Sequence, residues 1–91
     1  MDNKLRIKRV KEGIKLLENG IDPWTDLVEK KKLSYTVYFG LKGLGGDLLY
    51  NNGHGVDKGV LDDHGFIWDD VHDVKIMLHN WKRFLELIEK L

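Results

Sequence analysis

The sequence predicts an α+β fold, on three observations. Two amphipathic helical patterns flank the chain, strict period-two alternation begins at Leu33, and glycine-rich turns interrupt the middle. The expected architecture is an N-terminal helix, a short second helix, a small antiparallel sheet over about residues 33–68, and a long C-terminal helix packed across it. A chain of 91 residues suits one domain, 1–91.

The first helix is expected over residues 3–19. Ile7, Val10, Ile14 and Leu17 recur at spacings of three and four, and Gly20 follows as the residue that ends the helix. Lys4, Lys8, Lys11 and Lys15 form a row on the other side, either a solvated face or an anion-facing stripe. Asp22 and Pro23 then open a short helix, a cap followed by a proline whose missing N–H does no harm at the first position. Glu29-Lys30-Lys31-Lys32 closes it.

From Leu33 the pattern changes. Leu33, Tyr35, Val37, Phe39 and Leu41 fall on one side of an extended chain, Ser34, Thr36 and Tyr38 on the other, which predicts a strand. Gly43, Gly45 and Gly46 make a turn, residues 47–50 can return as a second strand, and Val60-Leu61 and Phe66-Ile67-Trp68 are further short strand candidates. The same region also has the outline of a helix-turn-helix: a helix over 24–32, a break at Leu33-Ser34 with Ser34 as cap, and a second helix over 35–44. Gly40, Gly43, Gly45 and Gly46 argue against it, at about 1 kcal/mol each in a helix interior. Its reading face would also offer only Lys42 as a cation. The strand is therefore the preferred assignment.

Residues 69–91 predict a helix with Asp69 or Asp70 as cap and an apolar face roughly 220° wide, beyond the stripe of about 100° that one core requires. Such a helix measures about 34 Å, against a diameter of about 31 Å for a compact domain of this size. That excess predicts an interface with another molecule, at Trp81, Phe84, Leu87 and Leu91, and hence a homo-oligomer or a protein partner. His72 and His79 lie on the opposite, charged face, where His79 requires only solvent.

Composition narrows the function classes. There is no cysteine, no apolar run long enough to span a membrane, and an N-terminal stretch too charged for a leader, so a cytoplasmic protein is expected. Net charge is zero, with +3 in residues 1–32 and −3 in residues 33–91, which does not favour a dedicated nucleic-acid binder. Lys42, Gly43, Gly45 and Gly46, with Asn52 and His54, could cradle a phosphate or a small nucleotide, yet they match neither nucleotide-binding fingerprint. Asp69, His72 and Asp73 share a helical face suited to a metal, without a recognised metal spacing. The single serine, Ser34, and the absence of cysteine leave little for nucleophilic catalysis. The expectation is a non-enzymatic binding protein, without cofactor, that acts through protein–protein contacts, as small accessory or inhibitor proteins of bacteria and their phages do. The alternatives are a helix-turn-helix nucleic-acid-binding regulator and a small-nucleotide binder or metal-dependent hydrolase.

Overall fold

The computed structural model describes residues 3–41, 58–68 and 73–90. Among them are four α-helices and one π-helical turn, in the order α1 (Asn3–Glu18), the π-turn (Trp24–Val28), α2 (Tyr35–Leu41), α3 (Lys58–Asp63) and α4 (Val74–Ile88). No strand occurs among the described residues. The expected α+β fold with its sheet is therefore contradicted: the described residues are helical, without a sheet.

The reason is visible at residues 35 and 37. A strand places both on one face, whereas a helix sets them about 200° apart. Val37 is 2% exposed and Tyr35 is 60% exposed, so the two side chains face opposite ways. Val37, Tyr38 and Leu41 share the buried side of α2, a helical spacing that hides inside the alternating pattern. Ser34 starts the helix, its Oγ accepting from the backbone N–H of Val37 at 3.3 Å. Gly40 lies within α2, next to its last described residue, Leu41. Val60 and Leu61, expected in a strand, lie in α3, and Phe66 to Trp68 follow it as irregular chain. The expected return strand at 47–50 lies outside the described residues.

The core is built on α1 and α4. Val10, Ile14 and Leu17 of α1 are buried with Met77, Trp81, Phe84 and Ile88 of α4, and Leu27, Leu33, Val37, Leu41, Leu61 and Phe66 close over them. At about 22 Å, α4 is shorter than the helix expected over 69–91 and fits within the 29 Å long axis of the molecule. Its cap is Asp73, whose Oδ1 accepts from Lys75 N–H at 2.8 Å; Asp69 and Asp70 lie outside the described residues. Among the described residues no helix is long and apolar enough to cross a membrane.

Gly13 brings the two helices together. A Cβ added there would lie 1.9 Å from a carbon of the Trp81 six-membered ring, so only glycine lets the indole lie against the α1 backbone. The Trp81 indole N–H, fully buried, meets no acceptor. Shape, not hydrogen bonding, holds the ring in place.

α4 also clasps the segment after α3. Asn80, fully buried, accepts from Ile67 N–H and donates to Ile67 C=O, both at 3.0 Å. The His79 Nε2 lies 2.6 Å from the Gly65 carbonyl oxygen, and the His64 Nε2 2.7 Å from Glu86 Oε2. That His64 contact holds the Glu86 carboxyl below its usual range. His79, expected to meet only solvent, thus has a structural partner.

Gly13→Ala tests the central contact. Alanine normally stabilises a helix by about 1 kcal/mol relative to glycine, but here overpacking of about 1–3 kcal/mol or more dominates. In urea denaturation the variant will be less stable than the wild type. Combining it with Trp81→Leu will cost less than the sum of the two single changes.

Candidate nucleic-acid interface

Residues 22–41 share part of the helix-turn-helix outline: a π-turn of five residues (Trp24–Val28) stands where a helix over 24–32 is expected, and α2 starts at Tyr35 after Ser34, with 42–44 outside the described residues. Its first piece is anchored by Asp22, whose Oδ1 accepts from Trp24 N–H at 2.9 Å. The Tyr38 hydroxyl of α2 donates to the same carboxylate, 2.8 and 2.9 Å from its two oxygens. Trp24 meets the Tyr38 ring edge-on, centroids 5.2 Å apart, and donates from Nε1 to Glu29 Oε1 at 3.0 Å. One carboxylate therefore ties the start of the π-turn to the middle of α2. Burial, and then the hydrogen bond and charge of Asp22, push the Tyr38 hydroxyl well above the usual tyrosine pKa.

The turn between the two pieces is a tight helix ending. Lys31 N–H bonds to Val28 C=O at 3.0 Å and Lys32 N–H to Leu27 C=O at 2.8 Å, with Lys31 in the left-handed region at φ 58°. This is the Schellman pattern, which glycine usually serves. Leu27 and Leu33, each 2% exposed, fix the turn to the core from beneath. Lys30, Lys31, Lys32, Ser34 and Tyr35 remain exposed along its rim. Lys31, Ser34 and Tyr35, with Val28 and Leu33, line a shallow hollow of about 380 Å³.

Several expected site residues have other places. Trp81 and Phe84 are 0% exposed, within the chain's own core, and offer no surface to a second molecule. Leu87 packs against that core while partly exposed, and Leu91 lies outside the described residues. Lys42, Gly43, Gly45, Gly46, Asn52 and His54 also lie outside them, as do Asp69 and His72 of the metal expectation. Asp73 is occupied as the cap of α4, and among the described residues no group of three or more potential ligands could hold a metal ion. The link from Asp22 to Tyr38 spans 16 positions and has no signature in local spacing.

Tyr38→Phe removes the hydroxyl and leaves Asp22 with one donor fewer. Stability at neutral pH should fall by about 1.5–3 kcal/mol, as for a hydrogen bond to a charged group. In the wild type the unfolded tyrosine releases its proton near pH 10 while the folded one keeps it. That part of the stability is full below pH 10 and is lost as pH rises above it. Urea titrations between neutral and strongly alkaline pH should therefore show a shallower alkaline decline for the variant.

Comparison with known protein families, with curated proteins and with solved structures finds no match to this chain.

Proposed function

We propose that this protein binds double-stranded DNA through the helix-turn-helix of residues 22–41, with no chemistry of its own. The observation that carries this reading is the pairing of a rigidly tied helix-turn-helix with an exposed rim of Lys30, Lys31, Lys32, Ser34 and Tyr35. α2 would enter the major groove, which admits a helix, and the adjacent lysines would meet phosphates, which position a protein without reading sequence. Tyr35, 60% exposed on the first turn of α2, is the side chain offered to the bases. A neutral chain makes few phosphate contacts through the turn alone, so affinity will be modest and its salt dependence shallow. The protein would act in the cytoplasm.

Three rim lysines imply a slope of log K against log salt of about −2.7. Lys31→Gly separates this role from folding. Glycine relieves about 1–2 kcal/mol of left-handed strain against about 0.5–1 kcal/mol of added backbone entropy, so the variant should be at least as stable as the wild type while the slope falls in magnitude by about 0.9. Fluorescence anisotropy with a labelled duplex, beside thermal unfolding, checks both. A wild type that fails to bind duplex DNA at low salt would sink the reading.

A further inference from the structure

Resting on that reading, we infer that the DNA footprint extends beyond the helix-turn-helix onto α1, with one sugar–phosphate strand seated in the groove between α1 and the turn. The groove, about 500 Å³, draws Lys15 from the last turn of α1 and Lys30 and Lys32 from the turn. Two carboxylates also face it, and both are engaged. Glu12 is held by Arg9 at 3.0 Å and Asp26 by Lys30 at 3.7 Å. Lys15 and Lys32 enter no ion pair among the described residues, so the groove retains net positive charge.

The cations continue along α1. Lys4, Lys8, Lys11 and Lys15 are all exposed, and their spacing keeps them within an arc of roughly 60°. Lys11 lies 3.9 Å from Glu89, an exposed contact that a phosphate could displace. Lys4 to Lys15 spans about 16 Å of helix, the axial length of about five phosphates of one strand at 3.4 Å each. Leu16 and Leu27 supply an apolar lining between the lysines. A row of single charges beside an apolar lining matches a backbone in which phosphates alternate with sugars. An extended acidic peptide turns successive side chains to opposite faces, so only every second charge could meet one lysine row.

The test compares wild type, the groove variant Lys8→Gln/Lys15→Gln, whose two changes lie on α1 outside the helix-turn-helix, and the control Lys75→Gln/Lys82→Gln on α4, all at exposed positions. Duplex affinity is measured between 50 and 200 mM salt. The groove pair should lower the slope by about 1.8, so that the wild type loses about 12-fold more affinity than this variant across the range. The control should keep the wild-type slope, and thermal unfolding should be unchanged in both. A groove variant with wild-type slope and affinity, where Lys31→Gly still weakens binding, overturns the extended footprint and leaves the helix-turn-helix reading standing. A control that loses as much slope as the groove variant overturns it too, since net charge alone would then account for the effect. Equal binding of heparin or single-stranded DNA overturns the assignment to duplex. No duplex binding by the wild type removes the underlying reading itself.

Discussion

The contact between Gly13 and Trp81 sets the geometry of this molecule. With no Cβ at position 13, the indole of α4 lies against the backbone of α1, and the two longest helices meet at close range. The apolar stripe of α1 and the Met77, Trp81, Phe84, Ile88 row of α4 then bury each other. A fully buried tryptophan whose N–H has no acceptor forgoes about 1–3 kcal/mol; the area it removes from water offsets this, since aromatic side chains bury 150–250 Å² each. Met77, Trp81, Phe84 and Ile88 of the terminal helix are buried within the chain, while Leu78, Leu85 and Leu87 pack against the core and stay partly exposed. α1 covers one part of this apolar face, and the helix-turn-helix and α3 cover more.

Helix endings organise the rest. α1, the π-turn and α3 each end with a residue in the left-handed region, at Gly20, Lys31 and Gly65. At each, the next residue reaches back five positions: Ile21 to Leu16, Lys32 to Leu27, Phe66 to Leu61. These endings turn the chain sharply, and after the second and third of them Leu33 and Phe66 enter the core. At two of the three the residue is glycine, the natural choice. At the third it is a lysine, in a conformation that costs an L-residue about 1–2 kcal/mol.

The two halves of the molecule divide the work. α3 and the chain after it are held to α4 by Asn80, His79 and His64, with Glu86 receiving the last. That clasp serves the fold. On the other side, Asp22 and Tyr38 lock the two pieces of the helix-turn-helix and leave its cations outside. The basic excess of residues 1–32 lies on α1 and the turn, and Lys15, Lys30 and Lys32 from the two meet at a single groove beside Glu12 and Asp26. A net charge of zero concealed this separation, because the acidic stretch belongs to another part of the chain.

The sequence by itself determined what depends on neighbours three or four positions away. The bounds of α1, the glycine that ends it, the role of Asp22 at the next turn and the helical character of residues 74–88 are all local matters of spacing and capping. It also contained the helix-turn-helix, with Ser34 as its cap, but presented residues 33–41 in a pattern that serves a strand equally well. Period two and period 3.6 coincide over so short a run, and only burial separates them: Val37 inside and Tyr35 outside. The tertiary structure alone decided that Trp81 and Phe84 belong to the core, that Asp22 meets Tyr38, and that Lys15 joins Lys30 and Lys32. Each of these depends on which surfaces meet after the chain has turned back on itself. An apolar arc records how much area must be covered and carries no mark of what covers it.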